Sequence, residues 1–254
     1  MISVFNEYEY ATKILDQGFI SKKQGLELFI LAKYYRLECG KTKSECKKLL
    51  VDFCESQIYD YKNSDVYIKV NTALARAYKP NVSLLKIDNV DFNDNELLYI
   101  KSLPISPIAK KVLFCLWCCN RLNIKAGQSD KWVLSTPTEL KKICNLNISK
   151  KKFLDIIYEL HQNDLIFVSD KWAICLSFLD NLDALYQVSD TTYYISDFEA
   201  LGLWWEQYIG NPKVNRCNCC EKLFVKKSKN QRYCVDCADA KKLERYKKYN
   251  QKRI

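Results

Sequence analysis

The chain has 254 residues, 48% hydrophobic and 28% charged, with 6 glycines, 5 prolines and a formal net charge of +10. That length supports one large domain or two to three small ones, and so little Gly and Pro argues against long disordered linkers. The start, MISVFNEYEYATK, has no basic region followed by an apolar run, and the most apolar run, Val112–Cys119, is too short to cross a bilayer. A cytoplasmic protein with no membrane partner is expected. The 13 cysteines raise the question of a secreted disulfide scaffold, but their odd number and the chain length argue against one. Eight lie outside the C-terminal cluster, in contexts such as Cys54, Cys115 and Cys175, and are expected to behave as small hydrophobes.

Residues 1–105 read as a helical N-terminal domain. Ser21-x-x-Gln24 and Thr42-x-x-Glu45 have the pattern of capping boxes. The first precedes an apolar face of Leu26, Phe29, Ile30, Ala32 and Tyr34, and the second one of Leu49, Leu50, Phe53 and Ile58. Gly40 suits the end of the helix between them. Val66–Tyr78 reads as a further helix, stopped by Pro80, and Asn93-x-x-Glu96 opens a short one before Pro104. No catalytic constellation is visible in this region.

Residues 106–178 carry a different pattern. Ser106–Leu122 is a strongly apolar helix with Pro107 at its favoured first position. Trp132-Val133-Leu134 reads as a short strand. Thr136-Pro137-Thr138-Glu139 supplies an N-cap, a Pro at N1 and a Glu at N3, opening a helix to Cys144. Ser149–Asn163 is amphipathic, with Phe153, Leu154, Ile157 and Leu160 inward. Leu165–Val168 and Lys171–Leu176 read as strands of a hairpin. This element order resembles a winged helix, in which the second helix of the turn enters the DNA major groove by its N-terminal end. Here that end carries Lys150, Lys151 and Lys152. Lysines there oppose the helix dipole, so a phosphate partner explains them better than helix stability does. Lys171 would be the wing contact. His161, the single histidine, has no cysteine near it in sequence and reads as structural.

Residues 179–212 form an acidic, aromatic linker helix. Ser196-x-x-Glu199 is its expected cap, and Trp204 and Trp205 its docking face. The charge is unevenly spread. Residues 179–210 hold 6 acidic side chains and no basic one, whereas residues 211–254 hold 14 basic and 4 acidic. The first 210 residues sum to zero, so the whole excess lies in the tail. A local field of that sign attracts polyanions within about 8–10 Å at physiological salt.

Inside that tail, Cys217-x2-Cys220 and Cys234-x2-Cys237 are separated by 13 residues. Two such pairs place four thiolates around one tetrahedral ion, and a closed four-thiolate site is structural rather than catalytic. Zn2+ is the expected cofactor. Four thiolates also suit an iron–sulfur cluster, whereas a redox pair lacks its βαβ context and disulfides need an oxidising compartment. Cys219 is the ambiguous fifth thiol, either an outward spare or a competitor of Cys217 or Cys220 for the metal. Leu223-Phe224-Val225 reads as a small strand beside the metal. Lys226, Lys227, Lys229 and Arg232 lie in the loop between the pairs, and Lys241, Lys242 and Arg245 in a basic tail helix, Ala238–Ile254.

The residues Cys217, Cys220, Phe224, Lys227, Ser228, Gln231, Tyr233, Cys234 and Cys237 make a phrase that resembles a zinc-binding C-terminal segment of phage and prophage proteins of low-GC Gram-positive bacteria. The resemblance implies a phage or mobile-element origin. Glu221 departs from it, since the pattern has Gly after the first knuckle. The fold class expected is mainly α: a helical N-terminal domain (1–105), a central winged helix-turn-helix (106–178), the linker helix (179–212) and a four-cysteine zinc ribbon or knuckle with a basic tail helix (213–254). The function expected is non-enzymatic nucleic-acid binding, DNA ahead of RNA, in regulation or replication. The lysines and arginines named above would contact phosphates. The alternative is an interaction protein that docks on a host protein or nucleoprotein complex.

Overall fold

A computed structural model describes residues 4–57, 63–127, 131–179 and 191–251, so Ile58 lies outside the described residues. The chain divides into two compact units, Ile2–Asp88 and Asn89–Ile254. Most described residues are helical, with small sheets between, as the mainly-α expectation holds. No described helix is long and apolar enough to cross a membrane.

The first unit contains α1 (Glu7–Gln17), α2 (Gln24–Leu37), α3 (Lys43–Gln57) and α4 (Asn63–Ala77). Ala11, Ile14, Leu28, Ile30, Leu31, Leu50, Val70 and Leu74 are buried among them. Thr42 and Glu45 form the expected reciprocal cap: the Thr42 amide donates to Glu45 Oε2 at 2.8 Å, and the Glu45 amide to Thr42 Oγ1 at 3.3 Å. Ser21 and Gln24 do not. The N-cap of α2 is Lys23, without a side-chain cap, and Ser21 Oγ accepts the Lys23 amide. The start of this helix is organised by Glu27 instead. Its buried carboxylate accepts the Ile20 and Ser21 amides at 3.1 and 2.8 Å and the Tyr10 hydroxyl at 2.9 Å. A second buried acid, Glu7, pairs with buried Lys33 and accepts the Leu85 amide. Buried charges persist only when satisfied in this way.

The second unit is built on α6 (Pro107–Lys125), capped by Ser106, whose hydroxyl accepts the Ala109 amide. Val112, Leu113, Phe114, Leu116 and Trp117 are buried along it together with Cys115, Cys118 and Cys119. Burial pushes the Cys115 and Cys118 thiols well above their ordinary value, so these cysteines pack as the inert small hydrophobes expected of them. Around α6 lie β1 (Val90–Asn93), α5 (Asp94–Ser102), β2 (Trp132–Leu134), α7 (Pro137–Ile143), α8 (Lys150–Gln162), β3 (Phe167–Val168) and β4 (Ala173–Cys175). The Asn93–Glu96 and Thr136–Glu139 capping boxes both form. On α8, Phe153, Ile157 and Leu160 are buried as expected. Ile156 joins them, whereas Leu154 turns outward and is 36% exposed. The three strands are antiparallel in the order β2-β4-β3.

β5 (Thr192–Ile195) pairs antiparallel with β1, Val90 opposite Ile195 and Asn93 opposite Thr192. α9 (Leu201–Tyr208) follows. Its expected Ser196–Glu199 cap does not form: the N-cap is Ala200, with no side-chain bond. Trp204 and Trp205 are buried and meet Phe114 at ring distances of 5.2 Å each, so they dock α9 on α6. Buried Lys111 of α6 pairs with Glu206. Gly202 presses against the backbone of Cys144, the C-cap of α7. Last come β6 (Val214–Arg216), β7 (Leu223–Val225) and α10 (Val235–Gln251).

Candidate metal centre and basic surface

β6 and β7 pair antiparallel, with Val214 opposite Val225 and Arg216 opposite Leu223. The chain reverses between them through Cys217–Lys222. The Cys217 amide donates to the Lys222 carbonyl at 3.0 Å, and the Glu221 amide to the Cys217 carbonyl at 2.9 Å. This turn needs one residue in the left-handed region, and Glu221 supplies it with φ of 59°. Glycine adopts that conformation without steric cost, so the knuckle forms despite the residue that departs from the zinc-segment pattern. Val214, Leu223 and Phe224 are buried beside it. After a loop, Cys234 precedes α10 and Cys237 lies in its first turn. Gln231 pins that loop: its Oε1 accepts the Lys227 amide at 2.7 Å, and its Nε2 donates to the Tyr233 carbonyl at 3.0 Å. The Asn218 amide donates to the Arg232 carbonyl at 3.0 Å, tying the first knuckle to the second pair.

The result is a cluster in which the Sγ atoms of Cys217, Cys220, Cys234 and Cys237 all lie within 4.8 Å of one another. Cys220 and Cys234 are 3.7 Å apart, much longer than a disulfide at roughly 2.05 Å. A tetrahedral zinc site with bonds of about 2.3 Å has sulfurs about 3.8 Å apart, which this donor set fits. Cys217 is buried, Cys234 and Cys237 half-buried and Cys220 exposed. Cys219 is exposed and is not one of the four clustered sulfurs.

The sulfurs are not equivalent. Burial opposes ionisation of Cys217, but the amides of Cys220, Cys234 and Cys219 point at its sulfur and prevail, holding the thiol down at about 6. Cys237 is pushed up, first by its hydrogen bonds to Cys220 and Cys234 and then by burial. At Cys234 the Cys237 amide favours ionisation, but burial and the Cys220 and Cys217 sulfurs raise the thiol overall. Cys217 therefore ionises readily, while Cys234 and Cys237 hold their protons more tightly. A metal ion must displace those protons. Affinity is expected to fall at least about tenfold per pH unit as pH drops from about 7.5 to about 6.5. Competition against a chromophoric chelator at the two pH values checks this, and an affinity independent of pH would refute it.

The basic residues surround this centre. Lys227, Lys229, Arg232, Lys242 and Arg245 are exposed, and Lys226 and Lys241 half-exposed. Lys241 was legible only as a tail lysine; its Nζ lies 3.8 Å from the centre of the Tyr233 ring. Its hydrogen bond with Tyr233 holds the ammonium above its ordinary pKa. Four thiolates around a divalent ion would leave two negative charges, which nearby basic side chains would offset. On α8, Lys150, Lys151 and Lys152 are all exposed, with the Lys152 amide bonded to the Ser149 hydroxyl at 3.2 Å. Lys171 is exposed in the β3–β4 turn. His161 sits with Nδ1 3.0 Å from the Ile166 carbonyl, in line with a structural role. Comparison with known proteins adds no family: no family model, curated protein or solved structure matches the chain.

Proposed function

We propose that the chain is a non-enzymatic nucleic-acid-binding protein of phage or mobile-element origin. In this reading Cys217, Cys220, Cys234 and Cys237 hold Zn2+, which fixes the shape of a basic surface and takes no part in chemistry. The observation that carries the proposal is the exposure of the charge. Residues 211–254 hold the whole excess, and every described side chain of α10 beyond Lys241 up to Tyr246 is exposed, so this helix presents its cations outward. The element order of residues 106–178 and the sheet order β2-β4-β3 support a winged-helix reading. Lys150, Lys151 and Lys152 would then meet phosphates at the leading end of α8, and Lys171 at the wing. DNA is favoured over RNA because that geometry suits a major groove.

With roughly six to eight phosphate contacts, affinity for a DNA duplex is expected to fall about a thousandfold or more from 50 to 200 mM salt. Fluorescence anisotropy across that range tests it. Absence of binding at low salt, or binding insensitive to salt, would sink the proposal. A second reading, docking on a host protein, is favoured by the aromatic side chains exposed on α8 and β3. A partner retained on the protein after nuclease treatment of a host lysate would support that reading instead.

A further inference from the structure

We propose that the outer face of the β2-β4-β3 sheet, with the adjoining face of α8, is a stacking platform for the bases of an unpaired nucleic-acid strand. The proposal rests on the nucleic-acid reading above and names the ligand of one surface within it. Trp132, Cys175 and Phe167 stand opposite one another across the three strands. Residues in register share a face of the sheet, and their neighbours Val133 and Ile174 point the other way, into the core where both are buried. Phe167 is 51% exposed. Its ring meets Trp132 edge-on at 6.2 Å and the exposed His161 at 6.4 Å. On α8, His161 and Tyr158 are three residues apart and Tyr158 and Leu154 four, spacings that share one helix face. Tyr158 is 62% exposed. Side chains from one helix and two strands therefore make a run of flat, half-open rings.

The charge beside this run indicates what covers it. Lys151 is exposed three residues ahead of Leu154 on the same helix face, with Lys150 and Lys152 beside it, and Lys171 is exposed in the hairpin turn. Of the α8 acids, Glu159 is turned toward Ser106, whose amide and hydroxyl it accepts at 2.5 and 2.7 Å. Asp155 alone among them stands exposed near the run. The fitting partner carries negative charge along its backbone and flat apolar faces at regular intervals. A duplex hides its bases in the stack, whereas a single strand offers each one to an aromatic ring. Small sheets with aromatics on neighbouring strands hold two or three bases this way.

The test uses full-length, metal-loaded protein and fluorescence anisotropy, with labelled oligothymidine of about 16 nucleotides or more and a duplex at the same salt. Phe167→Ala and Tyr158→Ala remove exposed rings, and thermal melting confirms that each variant is folded. Each is expected to weaken single-strand binding about tenfold, as the loss of one base–aromatic stack does, while duplex affinity stays within about twofold. Unchanged single-strand affinity in both variants, or an equal loss for strand and duplex, would overturn the platform. If Phe167→Ala abolishes capture of a protein partner and leaves oligonucleotide binding intact, the face is a protein-docking surface and the proposal is likewise overturned. Failure of the unaltered protein to bind either nucleic acid would remove the broader reading as well, a result distinguishable from the others.

Discussion

Replacing Cys217 with serine is expected to abolish stoichiometric metal binding and to melt α10, while the Ile2–Asp88 unit keeps its structure. The C-terminal module has little else to hold it. Val214, Leu223 and Phe224 are its buried hydrophobic side chains besides Cys217, each contributing about 1.5–3 kcal/mol. A structural zinc ion contributes an apparent ~10–16 kcal/mol, so with zinc in the cluster the fold of this module would depend on the metal more than on burial. α10 depends on it most. Its first turn carries Cys237 of the cluster, and the helix then runs through Lys242, Leu243, Glu244, Arg245 and Tyr246, all exposed, so among its described residues this stretch buries no apolar face. A helix of this length without packing is marginal in water. Metal analysis, loss of helical circular dichroism and faster amide exchange in residues 235–251 measure the outcome. Retained exchange protection in α10 would refute the dependence. Cys219→Ser is the control, expected to leave metal content unchanged because Cys219 is exposed and lies outside the cluster.

Gly202→Ala is expected to destabilise the second unit by about 1–2 kcal/mol, against the usual direction of such a change. In an exposed helix, Ala is favoured over Gly by about 1 kcal/mol. Here a Cβ on Gly202 would stand 2.1 Å from the Cys144 carbonyl oxygen and 2.4 Å from its carbon. Those atoms are backbone and cannot turn aside, so α9 must shift off α7, disturbing Trp204 and Trp205 on Phe114. Overpacking of this kind costs about 1–3 kcal/mol and occasionally more, which outweighs the propensity gain. For a unit of this size the melting temperature should fall by about 2–8 °C. Gly25→Ala offers the contrast. It lies exposed on α2 with nothing within 4 Å of the added Cβ, and should raise stability by up to about 1 kcal/mol. Equal melting temperatures for Gly202→Ala and the parent protein would show that the α9–α7 contact is compliant.

The features legible in the sequence were those set by neighbours along the chain. Thr42–Glu45, Asn93–Glu96 and Thr136–Glu139 close their caps within one turn, and the cysteine spacing marked the four sulfurs that the fold brings together. Ser21-x-x-Gln24 has the same local pattern, yet buried Glu27 in the first turn of α2 takes the Ser21 amide instead, and burial raises the value of that hydrogen bond. Ser196-x-x-Glu199 has it too, but there the chain is still leaving β5 and α9 starts only at Leu201. β1 and β5 were missed because VDFN and TYYI become strands only by pairing with each other. The row Trp132, Cys175 and Phe167 was equally hidden, since register across three strands brings those side chains together. At the candidate metal centre the four cysteines were legible, but their inequality was not: the amides of Cys220, Cys234 and Cys219 that single out Cys217 are brought to it by the fold.

The β1–β5 ladder also bears on how the protein is made. The Tyr193 hydroxyl of β5 donates to Asp94, the residue just after β1, across 99 positions of chain. At ~5–20 residues per second, the ribosome delivers β5 about 5–20 s after β1. During that interval the first unit is already complete in sequence, whereas β1 waits with its edge unpaired. Bringing the ends of so long a loop together costs about 4 kcal/mol in chain entropy, so closure should be a slow step in folding of the second unit. The four cysteines leave the ribosome only after the strand that completes this ladder.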